Sequence, residues 1–148
     1  AQPMKQQVRI LYLTHDGLTD PLGQSQILPY LIGLSSLGYQ IAIISLEKHD
    51  NFLRRKSQVS DLCTTHGIEW HPLPYHTRPP VFSSIFDLWR MRGRAAKLHS
   101  TVPFQIVHCR SYLTSLVGLW LKRKFGIRFL FDMRGFWADE RLESGAWP

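Results

Sequence analysis

The chain has 148 residues, 44% hydrophobic and 12% aromatic, which is enough to bury one sizeable core and too apolar for a disordered chain. No apolar run is long enough to span a bilayer, and the opening AQPMKQQ lacks the apolar centre of a secretory leader, so the expected place is the cytoplasm. Eighteen Lys and Arg against eleven Asp and Glu give a charge of +7, which suits a nucleic acid, an anionic membrane surface or a phosphorylated ligand. The basic clusters come without an RNP-like, zinc-finger or helix-turn-helix pattern, so nucleic acid is set aside as a partner.

Val8–Leu13 is a short apolar run that reads as a strand, followed by a loop with Gly17 and Gly23. Ile27, Leu28, Leu31, Ile32 and Leu34 then recur at helical spacing up to a stop at Gly38. Pro29 falls where that helix should already be running, so either the helix begins later than Ser25 or its first turn is distorted. Tyr39–Leu46 reads as a second strand bounded by charge, Phe52–His66 as a second helix ending at Gly67, and Ile68–Leu73 as a third, weaker strand. Four prolines between Pro72 and Pro80 place that segment in a surface loop rather than a central strand or a helix. Phe82, Ile85, Phe86, Trp89 and Leu98 mark one face of a third helix, and Gln105–Cys109 is a fourth strand. Leu113, Leu116, Val117, Trp120 and Leu121 have the spacing of an amphipathic fourth helix, with Lys122, Arg123 and Lys124 in its last turn and Gly126 as its stop. Ile127–Phe131 is a fifth strand. Short buried strands alternating with longer helices specify an α/β chain with a Rossmann-like, doubly wound parallel sheet, in the strand order 3-2-1-4-5.

In such sheets ligands bind outside the carboxyl ends of the strands. The stretch LTHDGLTDPLGQSQ, Leu13–Gln26, is neither the dinucleotide fingerprint G-x-G-x-x-G nor a P-loop. Taken alone, it is either a set of ordinary turn formers or a ligand loop. Other strand ends add to it: His15 after strand one, His108, Arg110 and Ser111 at strand four, and Asp132, Arg134 and Gly135 at strand five should converge on one crevice. Arg110 and Arg134 are expected to be partly exposed there, with their guanidinium groups free for phosphate or sugar hydroxyls. A single residue such as His108 also reads as a satisfied core histidine. His66, His71 and His76 surround a loop without metal-ligand spacing, and Cys63 and Cys109 read as reduced, buried thiols, so no metal is expected.

GQSQILPYL after the first strand, HCRSYLTSLVGLWLKRKFGIRFLFD across strands four and five, and FDMRGFWADERLESGAW at the end resemble the N-terminal domain of retaining, family-4-type glycosyltransferases of the GT-B fold. The resemblance implies that residues 1–148 form the acceptor-side, Rossmann-like half of an enzyme whose donor-binding C-terminal domain is absent from this chain. Such an enzyme moves a sugar from a nucleotide-diphosphate sugar to a sugar, lipid or polysaccharide acceptor, with no cofactor besides the donor. It further implies that Gly17, Gly23 and Gln24 belong to the loop that passes near the donor diphosphate. Arg110 occupies the place near the reacting sugar where the family often has a histidine, with His108 two residues earlier; these two are the catalytic candidates. His15, Ser111, Asp132 and Arg134 are the remaining substrate-binding candidates.

The alternative is a non-catalytic Rossmann-like module that holds a phosphorylated ligand or docks on a membrane. The run Ile85–Arg94 mixes Phe86, Trp89 and Met91 with three arginines, as an interfacial helix does. A core-packed helix with a solvated face accounts for it slightly better.

Overall fold

The computed structural model describes residues 8–77 and 80–132. Five strands form one parallel sheet: β1 (Arg9–Thr14), β2 (Gln40–Glu47), β3 (Glu69–Pro74), β4 (Ile106–Cys109) and β5 (Arg128–Phe131). Their order is β3-β2-β1-β4-β5, as the alternation of elements and right-handed crossovers require. The connecting helices are α1 (Leu28–Ser36), α2 (His49–Thr65), α3 (Pro80–Thr101) and α4 (Tyr112–Phe125).

Both faces of the sheet are covered, which is why the central strands β1, β2 and β4 are buried at nearly every position rather than at every second one. Leu11 and Leu13 of β1 pack with Ala42 and Ile44 of β2 under Met91 and Ala95 of α3 and Val117 and Leu121 of α4. Ile10 and Tyr12 pack with Ile41 and Ile43 under Leu28 and Leu31 of α1 and Val59 and Cys63 of α2. Cys63 and Cys109 are free and lie in opposite layers; burial pushes their thiols up to about 11 and about 12. Two of the expected helix stops, Gly67 and Gly126, have φ of 68° and 73°, a region that residues with a Cβ avoid.

Three local expectations change. Helical residues begin at Pro21, and a π-helical turn over Gly23–Ile27 precedes α1. Pro29 has no N–H and its ring presses on the carbonyl four residues back; the wider turn, with the Leu28 N–H reaching the Gly23 carbonyl, removes that conflict. The distorted turn is thus the resolution adopted.

Pro72 and Pro74 lie in β3, not in a loop. The strand tolerates them because it is at the sheet edge and the Tyr75 N–H bonds to the Glu47 carbonyl. By the alternation of a strand, positions 72 and 74 then aim their missing donors away from β2.

The third correction concerns α3. Its buried face is Ser83, Asp87, Met91 and Ala95, whereas Phe82, Ile85, Phe86 and Trp89 point outward and are exposed. In α4, Val117 and Leu121 are buried as expected, but Leu113 and Leu116 are exposed.

Candidate functional site

The crossovers run one way from β1 to β2 and β3 and the other way from β1 to β4 and β5, so the carboxyl ends of β1 and β4 flank a topological switch point. Two structures occupy that edge, and they differ in how their polar groups are satisfied.

The first is the loop between Thr14 and the π turn. Its anchor is Glu47, the buried last residue of β2, which the sequence presents only as a charge bounding an Ile-rich run. The Glu47 carboxylate accepts from Leu18 N at 2.9 Å, Thr19 N at 3.0 Å, Thr19 Oγ1 at 2.6 Å and Ser45 Oγ. Asp20 accepts from Gly17 N at 3.1 Å and Asn51 Nδ2 at 2.8 Å and pairs with Lys48 at 3.3 Å. Gln24 donates its Nε2 to the Leu18 carbonyl at 2.8 Å.

The two glycines fit this packing. A Cβ on Gly17 would lie 2.6 Å from Glu47 Oε1, and one on Gly23 would overlap the Gly17 carbonyl and stand 2.7 Å from Leu18 Cα. Any side chain at Gly23, valine included, would therefore disturb the fold itself, because the space there is filled by the loop's own backbone. The amides that a phosphate-binding loop would present are taken, at Leu18 and Thr19, by the protein's own carboxylate.

The second structure lies at the ends of β1 and β4, and here polar groups are left open. Three buried side-chain atoms among the described residues have no hydrogen bond: Tyr12 Oη, His15 Nε2 and Arg110 Nε. All belong to the carboxyl ends of these two strands, where buried polar groups are otherwise paired.

Arg110 is only 3% exposed, which corrects the expectation of a partly free guanidinium. Its Nη2 donates to Gln26 Oε1 on the π turn at 2.9 Å, and its Nε lies 3.5 Å from Asp16 Oδ2. The same guanidinium faces Tyr12: burial pushes the phenol up to about 12, with Arg110 pulling the other way. His108 stands edge-on to Tyr12, with centroids 4.8 Å apart, and to Tyr30 of α1 at 5.8 Å. Its Nε2 is 3.3 Å from Asp132 Oδ2, and Asp132 is fixed by its N–H on the Cys109 carbonyl. Tyr30, His108, Leu130, Phe131 and Asp132 line a pocket of about 210 Å³ on the α1 side of the sheet.

Of the expected site residues, His108, Arg110 and Asp132 thus come together. His15 follows β1 at a position that faces the α3 layer, where its ring meets Tyr75 edge-on at 5.3 Å and burial holds its imidazole below the usual range. Gly17, Gly23 and Gln24 are inside the loop. Ser111 caps α4, accepting from Thr114 N at 3.2 Å while Thr114 Oγ1 accepts from Ser111 N at 3.1 Å. Arg134 lies outside the described residues, as does Gly135.

Tyr12, Gln26, Tyr30 and Glu47 were missed in the sequence. The one available signal was Tyr12, whose hydroxyl interrupts the otherwise aliphatic run ILYL, where a buried hydroxyl ordinarily needs a partner. Among the described residues no group of three His, Cys, Asp or Glu is placed to hold a metal ion.

The sequence matches no family model and no curated protein. Solved structures define the class: a Rossmann-like α/β domain. The C-terminal domain of a hydrogenase from Pyrococcus furiosus superposes with a TM-score of 0.63 at 12% identity, over 89% of this chain and 96% of that one. The glycotransferase of kitacinnamycin superposes at 0.57 with 13% identity, over 94% of this chain and 34% of its own. Phytolacca americana UGT2, solved with UDP-2-fluoro-glucose and pterostilbene, does so at 0.59 with 11% identity, over 86% and 31%. The chain thus spans about a third of each glycosyltransferase, and at these identities the likeness is one of fold: the half-domain of GT-B enzymes, shared with a hydrogenase domain.

Proposed function

We propose that the chain is the acceptor-side half of a glycosyltransferase of the retaining, family-4 type, which moves a sugar from a nucleotide-diphosphate sugar to a hydroxyl-bearing acceptor. One observation carries the proposal: the buried Tyr12 hydroxyl, which makes no hydrogen bond, lies between the His108–Asp132 pair and the Arg110 guanidinium, whose Nε has only the part-exposed Asp16 at 3.5 Å, at the switch point of the sheet. Buried polar atoms in such a place are kept for a ligand rather than for the fold. The GT-B neighbours and the motifs quoted above support the same reading.

The chemistry follows from the groups. A departing nucleoside diphosphate gathers negative charge, and a guanidinium fixed in a dry site stabilises that charge without reorganising. Arg110 supplies one such cation. Asp16, 39% exposed at its side chain, holds the place that a ligand anion would take over. His108, oriented by Asp132, and the Tyr12 hydroxyl are groups that bind sugar hydroxyls. Because Glu47 occupies the amides of Leu18 and Thr19, the glycine loop contributes shape rather than phosphate contacts, and a second cation is needed; Arg134, outside the described residues, is one candidate.

The test is a titration of the isotopically labelled chain with a panel of nucleotide-diphosphate sugars, followed by nuclear magnetic resonance, which detects millimolar affinity. Shifts centred on Tyr12, His108, Arg110 and Asp132, lost in Arg110→Gln, are the expected result. A panel that leaves those signals unmoved overturns the proposal.

A further inference from the structure

The first half of α3 is polar toward the core, at Ser83 and Asp87, and apolar on its outer side. Ser83, Asp87, Met91 and Ala95 form its buried face, and on the opposite side Val81, Phe82, Ile85, Phe86 and Trp89 are all exposed, Phe82 by 71% and Trp89 by 61%. At 100° per residue these five lie within an arc of about 140° centred opposite the core. A contiguous apolar patch on a surface marks a place of contact. Tyr112, Leu113, Leu116 and Leu119 of α4 extend the exposed apolar surface on the same layer of the molecule.

Charge says what that contact is. α3 carries Arg90, Arg92, Arg94 and Lys97, and α4 carries Lys122, Arg123 and Lys124. The only carboxylate on either helix is Asp87, which is buried and accepts from His76 N at 2.9 Å, with His76 Nδ1 2.6 Å from its other oxygen. The outer surface of the two helices therefore has no negative side chain. A groove between them is lined by Trp89, Arg92, Arg94, Lys97, Trp120 and Lys124, and the Arg92 guanidinium and Lys124 ammonium lie 4.5 and 5.2 Å from the Trp120 ring centroid. The cores of protein–protein interfaces are depleted of charged residues, Lys among them. Aromatic and aliphatic side chains projecting beyond a set of unopposed cations match the boundary between acyl chains and anionic headgroups.

We infer that the outer face of α3 and α4 docks on an anionic phospholipid bilayer, with Val81, Phe82, Ile85, Phe86 and Trp89 entering the interface and the arginines and lysines meeting the headgroup phosphates. Both helices begin at the carboxyl edge of the sheet, so docking brings the edge that carries Tyr12 and Arg110 close to the bilayer. The chain lies on the membrane and does not cross it: no helix of the described residues is long and apolar enough to do so.

Sedimentation with vesicles tests this for the whole chain, using phosphatidylcholine alone or mixed equally with phosphatidylglycerol, at low and high salt. The mixed vesicles should carry the protein down at low salt, and high salt should release much of it. The triple change Arg94→Gln, Lys97→Gln and Lys124→Gln should weaken binding about a hundredfold. The pair Phe82→Ser and Trp89→Ser should weaken it by about tenfold or more. Both variants alter side chains outside the core, exposed but for the half-buried Arg94, and should unfold at the same temperature as the parent, which separates lost docking from lost structure. Equal binding by all three proteins overturns the inference, as does absence of binding to the mixed vesicles. A dimer that Phe82→Ser with Trp89→Ser dissolves, in a protein that no vesicle captures, overturns it too and assigns the face to a second copy.

Discussion

The loop after β1 and the end of β4 share one edge of the sheet and are finished in opposite ways. In the loop, Glu47, Asp20 and Gln24 close the donors and acceptors on one another, and the glycines let backbone meet backbone. Where β4 ends beside β1, the Tyr12 phenol is buried with no hydrogen bond, and Arg110 Nε has only Asp16, at 3.5 Å. The difference separates two uses of the same polar residue types. A group whose hydrogen bonds are all internal contributes to the fold, and its removal is read in stability. A buried group left open lowers stability slightly and is retained for what it meets. Mutations can break this comparison, and the largest effect is expected where the packing is tightest.

Gly23→Ala should destabilise the protein by about 3 kcal/mol or more, since its new methyl meets the Gly17 carbonyl and Leu18 Cα, both backbone atoms that cannot swing aside. Gly33→Ala is the matched control. Gly33 sits in α1 with nothing within 4 Å of an added Cβ, so the same substitution should stabilise by about 0.5–1 kcal/mol through helix propensity. Urea unfolding of the two variants gives opposite signs if the loop is a closed, internally packed element. Equal signs would mean that the loop yields and its glycines are not required by packing.

Glu47→Gln comes next. The amide keeps the shape but turns two hydrogens toward groups that already donate, so either Leu18 N with Ser45 Oγ or Thr19 N with Thr19 Oγ1 loses its acceptor. The expected loss is about 2–4 kcal/mol, with amide hydrogen exchange at Leu18 and Thr19 accelerated more than elsewhere. A loss below about 0.5 kcal/mol would place the loop's anchor elsewhere.

What could be read in advance follows the same line. Strand order came from the apolar runs Val8–Leu13 and Tyr39–Leu46 and from the handedness of crossovers, both of which depend on chain pattern alone. The gathering of His108, Arg110 and Asp132 was legible for that reason, because residues just past parallel strands share an edge. Side-chain direction was not. The burial of Arg110 depends on Gln26, which is 84 positions away in sequence, and no local pattern encodes that contact. Periodicity pointed α3 the wrong way: Phe82, Ile85, Phe86 and Trp89 form the longer apolar stripe, whereas the buried face opens with Ser83 and Asp87, and the contact of Asp87 with His76 is not encoded in that pattern. Glu47 was hidden by the ordinary assumption that a carboxylate ends a strand by reaching water; here it ends the strand by collecting the next loop.

The smallest expected effect is also the sharpest test of the comparison. Tyr12→Phe removes a hydroxyl that has no hydrogen bond, and it leaves the ring against His108 in place. Loss of an unpartnered polar atom from a buried site should leave stability unchanged or raise it by up to about 1 kcal/mol at neutral pH. In alkali the two proteins should diverge. Burial holds the Tyr12 phenol at about 12 against an ordinary 10.0, so the folded state keeps its proton longer than the unfolded state does. The resulting contribution to stability is complete below pH 10 and disappears as the pH rises toward 12. Cys63 and Cys109, with thiols raised from 9.0 to about 11 and about 12, lose stability over an overlapping range in both proteins and cancel in the difference. Parent minus variant, measured by urea unfolding near neutrality and again near pH 11, should therefore show an extra alkaline loss in the parent alone. Under the proposed function, the same substitution should weaken the response to nucleotide-diphosphate sugars about tenfold while the fold is no weaker. A Tyr12→Phe protein that is less stable by more than about 1 kcal/mol at neutral pH would show that the hydroxyl is closed inside the fold after all, and the contrast between the two ends of the sheet edge would be gone.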